Sequence, residues 1–347
     1  MHQPGGASRR ILASWMGALA WMTALVGCAG DSRLIVHERP ELLVRVNGSV
    51  TALRAAPDGT LFATTRSELW RAERDDPARW SVAAELPFHP IALQPASKGA
   101  VYFLPRMASS IWSWTDGSGF RELRTQLTDS VIRDGHHVYG VPLMDLAANR
   151  RGEVIAVGDM AAIVRVARPE GLLEANPMDS VARLPGTASY RSAFWRIDAY
   201  ADRFYAATNQ DLLVRENGTW RHLDFRREFP QFEQVGALAA TQSGVVVAFN
   251  ERRGKVTLLS HDGRRWTDLT PKAGALKWPL VHGASQPDGS VLLWSRARYV
   301  VEVRGTSVRV HDVPSLVAIR GAARAGRHIY IGGTQNGKSG VVVRVTH

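Results

Sequence analysis

The sequence predicts an all-β fold, a seven-bladed β-propeller. Short apolar strands recur in a fixed order along the chain. The turns ahead of them return at a nearly constant spacing, and few stretches of helical period compete.

The first recurring piece is a small-residue strand running into a turn: ALRAAPDG, ALQPASKG, DLAANRRG, ALAATQSG, GASQPDG and GAARAG. An apolar strand follows at once, as in TLFATT, AVYFLP, EVIAVG, RFYAAT, VVVAFN, SVLLWS and HIYIGG. A third strand comes some residues later, for example ELWRAE, AIVRVA, DLLVRE and YVVEVR. In several units a fourth piece pairs an aromatic with an apolar residue three further on: Phe120 with Leu123, Trp220 with Leu223, Trp266 with Leu269.

The turns are anchored at Gly59, Gly99, Gly152, Asp202, Gly244, Gly289 and Gly326. Their spacings, roughly 40, 53, 50, 42, 45 and 37 residues, match the period of four-stranded propeller blades. Glycine recurs there because tight turns need positive φ, which it reaches without steric cost. Runs such as Val245 to Phe249 are apolar at consecutive positions, which suits strands covered on both faces. The region 130 to 145 is irregular, so six or eight blades stay open as counts. The last unit ends at its third strand, and ELLVRVNG (41–48) is spare at the other end. That segment is expected to pair with the last blade and close the ring, since two bare sheet edges are a liability. The alternative is that it belongs to a tether.

The chain opens on a basic segment with Arg9 and Arg10, an uncharged apolar run from Ile11 to Val26, and the chain's single cysteine, Cys28. This is the layout of a secretory signal. Leu25-Val26-Gly27-Cys28 resembles the lipobox of bacterial lipoproteins. The resemblance implies cleavage after Gly27, diacylglycerol on the Cys28 thiol, and fatty acylation of the new amine. It implies a signal peptide at 1–27, a lipidated tether at 28–40 and the propeller at 41–347. The expected address is the bacterial envelope, with the outer membrane favoured because Ala29 rather than Asp follows the cysteine. Ser8-Arg9-Arg10-Ile11-Leu12 is also similar in part to a twin-arginine signal, with a poor downstream match.

One cysteine rules out an intramolecular disulfide and a multi-cysteine metal site. The net charge of +11 becomes +9 once Arg9 and Arg10 leave with the signal, which favours acidic polymers or anionic lipid as partners. The arginines are scattered, no nucleic-acid-binding motif is present, and nucleic acid is not expected as a partner.

The fourth pieces resemble the aspartate-box and sensor-type repeats of exported bacterial propellers. SHDGRRW (260–266) is one residue short of the full box, and ENGTWRHL keeps only its turn and tryptophan. The box is a folding device and implies no activity. No nucleophile elbow, phosphate loop or His-Glu-x-x-His motif occurs. Every blade carries arginine, so an arginine cluster is open by count, but the spacing singles none out. Asp134, His136 and His137 in RDGHHVYG could supply metal ligands, but neighbouring strand residues point to opposite faces. No metal or cofactor is expected.

Connections from an outer strand to the next inner strand gather over a propeller's channel, and several here are long and rich in aromatic and cationic residues. They offer Tyr190, Arg191 and Trp195; Arg226, Arg227 and Phe229; and Lys277, Trp278 and His282. Large aromatics beside cations favour recognition. The expectation is a non-catalytic binding or scaffold module for a protein or an acidic glycan. A polysaccharide hydrolase or lyase with its site in the channel, and a small-ligand sensor, are the alternatives.

Overall fold

A computed structural model describes residues 35–123 apart from 38, the strand pair 131–133 and 136–138, and 142–346 apart from 160–161, 167–172, 175–192, 210, 233, 252–254, 272–275, 277 and 337–338. Cys28 and Gly27 lie outside the described residues, as does the rest of the predicted signal.

Seven antiparallel sheets form the ring. Their inner strands are Ala52–Ala55 in blade 1, Pro90–Pro95 in blade 2, Leu143–Ala148 in blade 3, Phe194–Tyr200 in blade 4, Gln234–Ala240 in blade 5, Leu280–Ser285 in blade 6 and Ala318–Ala325 in blade 7. Each inner strand packs beside the next, and blade 7 packs beside blade 1. A short hairpin, Val131–Arg133 with His136–Val138, accounts for the irregular stretch between blades 2 and 3.

The apolar runs explain the stacking. Val101–Pro105 and Val291–Ser295 are buried at every position. One apolar cluster fills each of the seven interfaces between blades. Between blades 7 and 1, for example, Tyr330 and Val342 meet Leu53 and Leu61. Each such Leu or Val contributes roughly 1.5–3 kcal/mol when fully buried. The fourth pieces join in: Trp220 packs between blades 3 and 4, and Leu223 and Leu269 are buried.

The ring closes as expected. Glu41–Val46 pairs antiparallel with Ser339–Val345 and completes blade 7, with Arg344 and Glu41 in an ion pair. Ile35–His37, inside the stretch assigned to the tether, also docks. It runs parallel to Ser307–Asp312 and gives blade 6 a fifth strand.

The predicted turn glycine at Gly59 has φ +93° and needs glycine on that ground. In blade 4 the corresponding left-handed residue is Ala201, at φ +52°.

Candidate functional site: a cationic cavity in the channel

Six of the seven inner strands carry a register shift near their start. The skipped residues are Ile91, Met144, Trp195, Gly236, Val281 and Arg320. A bulge re-aims the side chains around it. Here it turns the next residues of several blades, among them Asp145, Arg196 and His282, into one cavity of about 510 Å³.

The cavity is eccentric, and small residues explain this. At Gly236 and Gly283 the strands touch backbone to backbone: a Cβ on Gly283 would stand 2.2 Å from the Leu238 carbonyl oxygen. Blades 5 and 6 are thereby drawn close, and no described residue of blade 5 lines the cavity. Blade 4 reaches past it to blade 6. Arg196 Nε donates to the Val281 carbonyl. Asp198 accepts from the backbone amides of Ala240 at 2.8 Å and Ser285 at 2.7 Å, tying three inner strands together. Asp145 likewise accepts from the amides of Leu146 at 3.0 Å and Ile197 at 3.2 Å.

Five arginines line the cavity: Arg54, Arg66, Arg106, Arg196 and Arg320. Two histidines, His89 and His282, and a single carboxylate, Asp145, join them. Among the described residues these five arginines form no ion pair with a carboxylate. Arg54 lies over the Trp294 indole at 5.1 Å, and its Nη1 is buried without a hydrogen-bond partner. The His282 ring stacks on the same indole, with centroids 5.8 Å apart and an interplanar angle of 21°.

The electrostatics follow from this crowding. Burial, then Arg196, Arg54, Arg320 and Arg296, hold the His282 imidazole well below its ordinary range. Burial followed by Arg66 and Arg106 lowers His89 as well. Burial raises the Asp145 carboxyl, against the pull of Arg196 and Arg54. The cavity is therefore strongly positive, and its surroundings favour neutral imidazole. Such an arrangement is built to receive an anion.

The residues singled out in the loops are dispersed. His282 is in the cavity wall. Trp195, the bulge residue of blade 4, is 41% exposed, and Trp278, two residues ahead of the blade 6 inner strand, is 51% exposed. Both stand at the face where inner strands begin, which is also the face of Arg66, His89, Arg106 and Arg320. Arg226 and Arg227 are exposed but take no part in the cavity. Phe229 is half-buried and stacks on Phe232 at 5.3 Å, packed against the core between blades 4 and 5. Tyr190, Arg191, Lys277 and Asp134 lie outside the described residues, as do the side chains of His136 and His137. No group of three metal-ligating side chains occurs among the described residues.

Sequence reasoning passed over the arginines, although a signal existed. The second strands of blades 1, 2 and 6 run into FATTR, YFLPR and LLWSR, placing Arg66, Arg106 and Arg296 at the same end of the ring. Arg54, Arg196 and Arg320 sit on inner strands.

No protein-family model matches the chain, and no curated protein does. Solved structures do. A streptogramin B lyase aligns with TM-score 0.63 at 13% identity, over 90% of this chain and 99% of that one. A catalytically inactive variant of virginiamycin B lyase from Staphylococcus aureus, with quinupristin, aligns with TM-score 0.62 at 15% identity, over 88% and 98%. The WD40 repeats of RRP9 align with TM-score 0.63 at 12% identity, over 90% and 100%. At these identities the likeness is one of fold.

Proposed function

We propose that this chain is a non-catalytic receptor for acidic glycans, exported and held on the envelope through fatty acids on Cys28. The observation that carries the reading is the charge imbalance in the cavity: among the described residues, five arginines and two histidines against one carboxylate. Guanidinium groups pair with carboxylates through two parallel hydrogen bonds. Trp195 and Trp278, exposed on the same face, suit the apolar side of a sugar ring next to the one whose carboxylate enters. The fold supports the reading only in a general way, because propellers serve many functions.

Calorimetry with uronate-bearing, sialylated and neutral oligosaccharides tests it. Acidic members should bind, neutral ones should not, and affinity should fall as salt rises. If only a protein partner binds, the scaffold reading takes its place. Release of an unsaturated sugar would make the cavity a lyase site, with His282 as the base. The anchor has its own test. Labelling with a clickable fatty acid should mark the wild type and vanish in Cys28→Ser, and unchanged labelling would defeat the lipid tether.

A further inference from the structure

We infer that filling the cavity with a carboxylate draws one proton onto His282, so that the ligand is held more tightly as the pH falls. This rests on the acidic-glycan reading and adds a regulation to the same site.

The argument is geometric. His282 projects from the inner strand of blade 6 and is faced by charge from nearly every element around it. Arg54 comes from blade 1, Arg196 from blade 4 and Arg320 from blade 7, while Arg296 follows the second strand of its own blade. Arg66, Arg106 and His89 also line the cavity, and Asp145 of blade 3 is the only carboxylate in its lining among the described residues. Trp294 covers one face of the ring, and no hydrogen bond to the imidazole is found among the described residues. Four guanidinium charges act on the ring and oppose its protonation.

A carboxylate seated among these arginines cancels the repulsion and adds an attraction of its own. The imidazolium then costs less than it did in the empty cavity, and by linkage the protonated protein binds the ligand better. Between the proton affinities of the empty and filled sites, binding should strengthen by up to about tenfold per pH unit lowered. Among the described residues His89 is the only other imidazole lining the cavity, so it is the group from which His282 must be told apart.

Titration calorimetry of the mature protein with tri-galacturonate, between about pH 6 and 8 in buffers of differing ionisation enthalpy, counts the protons taken up. Uptake by the wild type should rise toward one proton per ligand as the pH is lowered. His282→Gln should take none and lose the pH slope. The imidazole signals of the unaltered protein give a readout independent of any variant: the His282 midpoint should move upward when the ligand saturates the site. Binding without proton uptake, or uptake undiminished in His282→Gln, overturns this inference and leaves the receptor reading standing. No binding of tri-galacturonate or of any other acidic oligosaccharide at any pH removes both.

Discussion

On the inner strand of blade 7, Arg320 is exposed at the cavity while Arg324, four residues further along, is 7% exposed and enclosed by partners. Arg324 ion-pairs with Glu302 and, at 3.1 Å, with Asp288. Glu302 also meets Arg304 at 2.8 Å and His311 at 3.5 Å. Arg324's own amide donates to the Gln286 side chain at 2.8 Å, joining blade 7 to blade 6. Among the described residues Arg320 has no such partner; it lines the cavity and its charge acts on His282. Crowding like charges works against folding, whereas enclosing a cation among anions supports one arrangement of the chain. The same residue type on one strand thus serves the ring in one place and awaits a ligand in the other.

The comparison breaks most readily at its buried end. Glu302→Ala leaves Arg324 buried without its closest anion and should cost about 3–5 kcal/mol, visible as a lowered midpoint in thermal or denaturant unfolding. Anion affinity of the folded fraction should be unchanged, and a wild-type unfolding midpoint would show that the cluster is not a structural tie. Gly283→Ala tests the close approach of blades 5 and 6. With a backbone oxygen 2.2 Å from the new methyl, the inner strands must part, at a cost of about 2–4 kcal/mol. If stability held, the close approach would not be what makes the cavity eccentric.

Asp198 sharpens the comparison through pH. Burial pushes its carboxyl from 3.8 up to about 6, against the amides of Ala240 and Ser285 and the charge of Arg54. The folded chain therefore holds this proton more tightly than the unfolded one. The stability it contributes is full below about pH 4 and is lost as the pH rises through about 6. Wild type minus Asp198→Asn should show this fall, at most about 2–3 kcal/mol. A flat difference would mean that the carboxylate stays ionised across the window. The smallest stability effect belongs to the exposed end: Arg320→Gln should change folding by no more than about 0.5 kcal/mol. It should weaken tri-galacturonate roughly tenfold, as expected for one lost charge-assisted pair. An equal loss of stability and affinity would erase the distinction between the two arginines.

Much of the ring was legible because its signals are local. The Gly59 turn, the doubly buried Val245–Asn250 strand and the aromatic Trp220 each announce their place within a few residues. Even the closing strand could be inferred, from one strand missing at one end and one spare at the other. The cavity was harder, because it is assembled from single residues of different blades. Arg54 and Arg196 are 142 positions apart in the chain, on the inner strands of blades 1 and 4, and only the closed ring turns both into one cavity. Phe229 shows the opposite error: an aromatic beside two arginines reads like a contact surface, yet stacking on Phe232 turns it toward the blade junction. Composition alone does not separate the two outcomes.

The pairing of Glu41–Val46 with Ser339–Val345 also sets an order of events. Its two halves lie at opposite ends of the chain, with 303 positions between Glu41 and Arg344. The strand made among the first must therefore wait for a partner made among the last. The entropy of joining such distant ends grows only with the logarithm of their separation, so the finished molecule bears it easily. The wait is another matter: until Ser339–Val345 has been made, an incomplete arc carries bare backbone at both edges, and whatever receives the emerging polypeptide must keep those edges from pairing with other chains.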